Sequence, residues 1–301
     1  MDKFIVEASL FNKRLDEVLS ISGAYNSRTS AQKALKKGLV LVNGKAETAH
    51  YKVKEGDEIS YEDLPLEKSQ LEAEQIPLDV VYEDEDVLLI NKPQGLVVHP
   101  GNGHHSGTLA NAILGYSKEL ANPESERPGL VHRIDKDTSG LILSAKNEEA
   151  FAFLSAQLKD HTMHREYYAL VKGIIYEDDG KIDAPIGRNP REPLKNMVDV
   201  EHGKESITYF HVEKRYKISD CTLISCRLLT GRTHQIRVHM DYIGHPVIGD
   251  PLYGRDNRKI YKNGQLLHAY RLTFIHPTSK KEVSFSCPLP DYFTSVLDEL
   301  K

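Results

Sequence analysis

The sequence predicts a soluble protein built from both α-helices and β-strands. Leu15, Val18 and Leu19 follow the i, i+3, i+4 spacing of an amphipathic helix. Residues 87–90, Val-Leu-Leu-Ile, are a short apolar run of the kind that forms a buried strand. Hydrophobic residues make up 40% of the 301-residue chain, which is enough for a sizeable core. No apolar run approaches the ~18–20 residues that span a bilayer.

The cysteines and the first residues indicate a cytoplasmic protein. Cys221 and Cys226 lie in one apolar, strand-like run, and their odd separation directs them to opposite faces of a strand. They and Cys287 are therefore expected to be reduced structural thiols. Residues 1–5 contain no signal-peptide pattern.

The net charge of −5 hides an uneven charge distribution. Residues 61–90 contain ten acidic residues and one lysine, whereas residues 13–37 contain six basic residues and two acidic ones. A basic patch of this kind can meet a phosphate backbone even when the whole chain is acidic.

The basic residues lie on a predicted pair of helices and a hairpin. The first helix contains Leu15, and a second is predicted from the capping residues 26–27, Asn-Ser, to Gly38. A strand over residues 39–42 then leads into the hairpin turn Asn-Gly at residues 43–44. The simpler interpretation of the basic helix is a solvated face.

The order of these parts resembles the small RNA-binding module named after a small-subunit ribosomal protein, over residues 13–60. The resemblance implies that the module grips structured RNA through backbone phosphates. We therefore predict an RNA-binding module over residues 1–62, an acidic linker over 63–75 and a larger domain over 76–301. The candidate phosphate ligands of the module are Arg14, Arg28, Lys33, Lys36, Lys37 and Lys45.

The densest group of reactive residues is His-Arg-Ile-Asp-Lys-Asp-Thr-Ser-Gly at residues 132–140. A turn signal precedes it and an apolar run follows, which indicates a polar loop that enters a buried strand. Asp135 is its candidate functional residue, as nucleophile, general base or metal ligand. The plain alternative is an ion pair between Asp135 and Arg133 or Lys136.

Further helices and strands follow from capping and alternation. A helix is predicted from Thr108 to about Leu120, and Asn147 is expected to cap another. A strand over residues 165–173 alternates, so that Tyr167 and Tyr168 point to opposite faces. The glycine- and histidine-rich loop at 101–107 carries only weak signals for a metal or a phosphate.

A second polar stretch, Gly-Arg-Thr-His-Gln-Ile-Arg-Val-His, occupies residues 231–239. Thr233 is expected to cap a helix that ends near Gly244. His234 and Arg237 at its start suit contact with an anion, and Arg232 lies beside them. His234 and His239 lie five residues apart, which does not match the spacing of a helical zinc pair.

The chain resembles the RluA/RluD-type family of RNA pseudouridine synthases over nearly its whole length. The matching motifs occur in the family's order at residues 91–100, 132–140, 165–173, 231–239 and 267–269. The resemblance implies an α+β fold, with a mixed, mainly antiparallel sheet flanked by helices and a small N-terminal α/β RNA-binding domain. It also implies isomerisation of uridine to pseudouridine without metal or cofactor.

The resemblance assigns roles to individual residues. Asp135 is implied to be the catalytic aspartate, and Arg237 to pair with it and hold it ionised. Tyr167 is implied to stack near the target base, with either Tyr167 or Asp135 accepting the final proton. Arg133 is implied to occupy the gap left by the extracted nucleotide, with Arg232 and His234 as further RNA-binding residues.

The expected partner is RNA, with large-subunit ribosomal RNA favoured and transfer RNA as the alternative, and the chain is expected to be a monomer. A catalytically silent RNA-binding or ribosome-assembly protein on the same fold is the first rival. A glycoside hydrolase that uses Asp135 with Asp137 is the second, although the surrounding cations disfavour a protonated acid there.

Overall fold

The computed structural model describes residues 2–25, 28–63, 71–101, 106–117, 119–123, 125, 127–254 and 259–301. The chain divides into two compact units, Met1–Lys68 and Ser69–Lys301. The boundaries predicted at residues 62 and 76 stay a prediction. No helix in the described ranges is both long and apolar enough to cross a membrane.

The smaller unit packs two helices against a four-stranded antiparallel sheet with the order β1-β4-β2-β3. Its elements are β1 (Asp2–Ile5), a 3-10 helix (Ala8–Leu10), α1 (Leu15–Ile21), α2 (Arg28–Lys36), β2 (Val40–Val42), β3 (Lys45–Ala46) and β4 (Glu58–Tyr61). The predicted α1 stripe of Leu15, Val18 and Leu19 is fully buried. The predicted cap of α2 at residues 26–27 lies outside the described residues.

The hairpin between β2 and β3 forms as predicted. Val42 pairs with Lys45, and the two residues between them have φ angles of 49° and 75°. Positive φ at both central positions is the requirement of a type I′ turn, which Asn43 and Gly44 meet without strain. Lys45 is exposed directly after this turn.

The larger unit is built on a nine-stranded sheet with the order β5-β6-β7-β14-β8-β13-β12-β9, in which β15 also pairs with β14. Among its described pairings only β7–β14 is parallel, so the predicted mixed, mainly antiparallel sheet is confirmed. Its strands are β5 (Val80–Glu83), β6 (Val87–Lys92), β7 (Ser139–Ala145), β8 (His164–Lys172), β9 (Asp179–Asp183), β12 (Ile207–Tyr216), β13 (Cys221–Leu228), β14 (Leu267–Ile275) and β15 (Glu282–Ser286).

Helices flank this sheet, and a two-stranded ribbon lies apart from it. The helices are α3 (Leu109–Tyr116), α4 (Glu148–Lys159), α5 (Gln235–Tyr242) and α6 (Asp291–Glu299), and the ribbon pairs β10 (Ile186–Arg188) with β11 (Asn196–Val198). α3 ends at Tyr116, short of the predicted Leu120. Asn147 caps α4 as predicted, because its side chain accepts a hydrogen bond from the backbone N–H of Ala150 at 2.8 Å.

The core forms on both faces of the sheet. Leu88 and Ile90 of β6 pack in one cluster with residues of α3 and α5, whereas Leu89 packs in a second cluster with α4. Cys226 and Cys221 likewise belong to different clusters, and both are free thiols, as predicted. This alternation follows from the two-residue period of a strand.

The described end of the predicted acidic linker is attached to α3. The carbonyl of Glu72 accepts a hydrogen bond from the Asn111 side chain at 2.8 Å, and the backbone N–H of Glu74 donates to the Asn111 carbonyl. The Gln75 side chain donates to the carbonyl of Gly115. Residues 71–75 therefore belong structurally to the larger unit.

The parallel contact between β7 and β14 requires a glycine. Gly140 pairs with Ala269, has a φ angle of 108°, and leaves no room for a Cβ atom, which would overlap the Ala269 backbone. Both the close approach and the backbone angle exclude ordinary side chains. Gly140 directly follows the polar loop, so this packing fixes where the loop ends.

We expect Gly140→Ala to lower the free energy of unfolding by more than about 2 kcal/mol, because it combines overlap with a strained φ angle. Gly101→Ala is the matched control, since Gly101 is exposed and has open space around its Cα. Urea titration of both variants measures the difference. Equal midpoints would contradict the packing described for β7 and β14.

Candidate active site

The polar loop before β7 is held by a buried lysine. The Lys92 side chain is fully buried, and its ammonium donates to the carbonyls of Pro93, Leu96 and Lys136 at 2.8–2.9 Å. Burial lowers the pKa of Lys92 to about 7. The loop is closed further by a hydrogen bond from the Thr138 N–H to the Asp135 carbonyl. Lys92 was missing from the sequence-based candidates, although it lies in the Asn-Lys-Pro-Gln-Gly motif.

Asp135 forms an ion pair with Arg237, 102 residues away along the chain. Arg237 Nη1 donates to Asp135 Oδ2 at 2.8 Å. This contact replaces the alternative in which Asp135 merely pairs with Arg133 or Lys136, since neither of those pairs occurs among the described ion pairs. The Asp135 side chain is 17% exposed, so it can meet a ligand while it is paired.

A second carboxylate holds Arg237 from its other edge. Arg237 Nε donates to Asp250 Oδ2 at 2.6 Å, and Nη2 donates to Asp250 Oδ1 at 2.9 Å. Asp250 Oδ1 also accepts from the backbone N–H groups of Leu252 and Tyr253. Asp250 is buried, so this bidentate pair fixes the plane of the guanidinium.

Asp250 was not among the residues predicted from the sequence. The sequence signal for Asp250 is its position. It follows the apolar pair Val247-Ile248 and Gly249, and it precedes Pro251. A charged side chain at the end of a buried run needs a partner, but nothing in the sequence names that partner.

The surrounding charges determine the protonation state of Asp135. Burial acts to raise its pKa, but the positive charge of Arg237, with a smaller contribution from His234 and the hydrogen bond from Arg237, outweighs burial and lowers it. Burial acts to lower the pKa of Arg237, yet the hydrogen bonds and charges of Asp250 and Asp135 raise it above its usual value. Both groups are therefore charged at neutral pH.

His234 lies beside Asp135 because of an unusual backbone conformation. Its φ angle is 59°, and its Nε2 lies 3.9 Å from Asp135 Oδ1. The Nδ1 atom lies 3.0 Å from the Tyr253 hydroxyl. Burial lowers the pKa of His234, with Asp135 opposing, so the imidazole is neutral at neutral pH.

The predicted cap of α5 at Thr233 is wrong. The N-cap residue is His234, which is left-handed and caps nothing with its side chain. The Gln235 side chain organises this turn instead, because its Oε1 accepts from the Arg232 N–H and from the Thr230 hydroxyl. The left-handed residue turns the imidazole toward Asp135, and a β-region cap at Thr233 would not do so.

Tyr167 and Asp135 line one cavity, which we call the Asp135 cavity. Its other walls include Ile134, Leu228 and Leu267, and Arg133 and Arg232 lie exposed at its edge. Tyr167 is buried, and burial raises its pKa, so the phenol is neutral.

The prediction that the two adjacent tyrosines face apart is confirmed. Tyr167 faces the Asp135 cavity, whereas the Tyr168 ring stacks on Tyr270 with 4.0 Å between ring centroids. Because side chains alternate along β8, Tyr167 lines the site and Tyr168 packs on the opposite face.

The predicted basic residues of the smaller unit divide into two groups. Arg14 and Arg28 both pair with the buried carboxylate of Asp16. Burial acts to raise the pKa of Asp16, but the hydrogen bond from Arg14 and the neighbouring cation lower it to about 2. The second group is exposed and consists of Lys33, Lys36, Lys37 and Lys45.

Within the described ranges, no group of three His, Cys, Asp or Glu side chains lies close enough together to hold a metal ion. The weak metal signal of the loop at 101–107 falls largely on residues 102–105, which lie outside those ranges.

We expect Arg237→Met to raise the pKa of Asp135 above the ordinary carboxyl value, because burial then acts without the opposing cation. The lone buried charge of Asp250 should also destabilise the fold by about 3 kcal/mol or more. Carbon-detected NMR of the Asp135 carboxyl and urea titration measure the two effects. Arg271→Met is the control, since its pair with Glu166 is loose at 3.6 Å. An unchanged Asp135 pKa would contradict the role given to Arg237.

Comparison with known proteins identifies the family. A family model described as RNA pseudouridylate synthase matches residues 86–242, and one described as an S4 domain matches residues 13–59. An uncharacterized RNA pseudouridine synthase of Bacillus subtilis (strain 168), YlyB, is 46% identical over 96% of this chain and 95% of its own length. The ribosomal large subunit pseudouridine synthase D of Nitrosomonas europaea is 41% identical over 98% of this chain and 87% of its own.

The fold is also that of solved relatives. Human RNA pseudouridylate synthase domain containing 1 superposes with a TM-score of 0.60 and 27% identity, over 78% of this chain and 90% of that protein. These matches confirm the resemblance on which the sequence analysis relied. The chain belongs to the RNA pseudouridylate synthase family, whose members are isomerases that convert uridine to pseudouridine in RNA, and it carries an N-terminal S4 domain.

Proposed function

We propose that the protein isomerises uridine in large-subunit ribosomal RNA and that Asp135 is its catalytic residue. The observation that carries the proposal is an ionised carboxylate, held by Arg237, at the wall of a cavity that also contains Tyr167. The relatives named ribosomal large subunit pseudouridine synthase D support the choice of RNA. Transfer RNA is the alternative substrate.

The reaction needs the target base outside its stack. Extraction costs a few kcal/mol, which contacts with the rest of the RNA must offset. Arg133 lies exposed at the edge of the Asp135 cavity, where a guanidinium can stack and hydrogen-bond in the vacated position. The exposed lysines of the smaller unit would bind phosphates elsewhere on the RNA.

Isomerisation breaks the bond between N1 of uracil and the ribose C1′ and forms a bond between C5 and the same carbon. The proton on C5 then leaves, and N1 gains a proton. The low pKa of Asp135 keeps its carboxylate ionised for the first step. That carboxylate is the only acidic side chain among the described residues of the cavity wall.

The two candidate acceptors of the final proton differ in protonation. Tyr167 carries its own proton at neutral pH, because burial raises its pKa. A neutral phenol can stack against the base, but it is a poor proton acceptor. We therefore assign proton removal to Asp135 and contact with the base to Tyr167.

A tritium-release assay tests this proposal. Ribosomal and transfer RNA labelled at C5 of uridine should lose label with the wild type and keep it with Asp135→Asn, because the amide cannot act as a nucleophile or base. Asp137→Asn is the matched control, since Asp137 lies on the same loop but outside the Asp135 cavity. The control should release label as the wild type does.

Other outcomes would overturn particular parts of the proposal. No release by the wild type on either RNA would favour a silent RNA-binding protein. Release by Asp135→Asn would reject Asp135 as the catalytic residue. Free uracil, or loss of activity in Asp137→Asn alone, would favour a hydrolase that uses Asp137.

A further inference from the structure

A second cavity adjoins the Asp135 cavity and is lined by basic side chains. It has a volume of about 510 Å³, and we call it the arginine cavity. None of its described wall residues is acidic. Its cationic and histidine wall residues are Arg127, Arg133, Lys159, Arg165, Arg232, His99, His132 and His161. A ligand that fits such a wall is an anion.

Arg165 is the deepest charge in this wall. It lies on β8, two residues before Tyr167, and is only 8% exposed. Within the described part of the chain its Nε atom is buried without a hydrogen-bond partner, and its guanidinium forms no ion pair there. A buried guanidinium is normally paired, so this one is incomplete in the free protein.

His132 adds a second unsatisfied donor. Its Nε2 accepts a hydrogen bond from the Leu143 N–H at 3.1 Å, and burial lowers its pKa to about 3. The imidazole is therefore neutral and carries its proton on Nδ1. That Nδ1 atom is buried, and no described residue accepts a hydrogen bond from it. Two buried donors, His132 Nδ1–H and Arg165 Nε–H, thus lack acceptors at the wall of one cavity.

Gly231 leaves the space that the Arg165 guanidinium occupies. A Cβ atom at Gly231 would overlap Nη1 of Arg165. Gly231 and Arg165 line both the arginine cavity and the Asp135 cavity, as do Arg133 and Arg232. Whatever binds Arg165 is therefore adjacent to whatever binds Asp135.

We propose that the arginine cavity binds a backbone phosphate of the RNA strand next to the extracted uridine. Phosphodiester oxygens are negatively charged and are strong hydrogen-bond acceptors. The guanidinium of Arg165 and the Nδ1–H of His132 both lack such an acceptor. Lys159, exposed at the end of α4, contributes a further positive charge at the wall. The inference rests on the proposed function, because it takes RNA to be the ligand.

Arg165→Met tests the proposal through two readouts. The dissociation constant for a large-subunit ribosomal RNA transcript should rise about tenfold to a hundredfold, the range expected for loss of a hydrogen bond to a charged group. The midpoint of thermal unfolding without RNA should stay equal or rise, because methionine fills the space without an unpaired charge. A structural role for Arg165 predicts the reverse: a lower midpoint and unchanged affinity of the folded protein, which would overturn the proposal.

Lys159→Ala supplies a variant with little effect on folding. Its RNA affinity should fall a few-fold, and the slope of log affinity against log salt concentration should shrink by about 0.7, the value for one contact with a single strand. Lys217→Ala is the matched control. Lys217 is exposed at the turn before β13, and the length of β13 separates it from Gly231 of the arginine cavity. An unchanged salt slope in Lys159→Ala, or equal losses in both variants, would contradict the proposal.

A comparison of inorganic phosphate with chloride at equal ionic strength shows whether the ligand of the cavity is a free anion or the RNA backbone. Phosphate should raise the unfolding midpoint of the wild type more than that of Arg165→Met. If it does so while RNA affinity is independent of Arg165, the cavity binds a free anion and the proposal is wrong. These readouts do not need turnover, so a wild type that binds RNA without releasing tritium would reject the proposed function alone.

Discussion

The guanidinium of Arg237 lies between two carboxylates, and the geometry of the site depends on this arrangement. Asp250 is buried and binds the Nε and Nη2 atoms along one edge of the guanidinium, whereas Asp135 binds Nη1 and faces the cavity. One buried cation thus pairs with a buried acid and still presents an N–H to Asp135, the residue that we propose to be catalytic. Removal of either partner of such a buried pair leaves a charge that costs about 3–5 kcal/mol.

Arg237 and Arg165 lie in the same region but differ in how their guanidinium groups are paired. Arg237 has all its strong interactions within the protein, so it can aim Asp135 but has little left for a ligand. Among the described residues Arg165 is buried without an ion pair, and its Nε–H lacks an acceptor, so we propose that an incoming anion supplies one. Natural proteins break local rules mainly where function requires it. Arg237 thus positions Asp135, whereas Arg165 keeps donors for the anion that we propose to bind there.

The sequence predicted strands β2, β6, β7, β8 and β13, the helices α1 and α4 and the hairpin at Asn43 and Gly44, because each has a local signal in spacing, capping or turn chemistry. It also predicted the pair of Asp135 and Arg237, although only through the family motifs. Lys92 and Asp250 were missed, since their partners are backbone carbonyls or a side chain on another element, and contacts of that kind have no period in the sequence.

The left-handed conformation of His234 was missed for a different reason. Non-glycine residues adopt positive φ too rarely to be predicted without the turn that imposes it. That turn depends on the Gln235 side chain, whose amide group reaches Ile207 and Thr208 on β12. The most direct test of how Arg237 is held is the single-turnover rate of pseudouridine formation by Asp250→Asn, with Asp183→Asn as an exposed control. Because Asp250 is buried and holds Arg237 in place, we expect at least a tenfold slower rate with unchanged RNA affinity. A wild-type rate in Asp250→Asn would contradict this expectation.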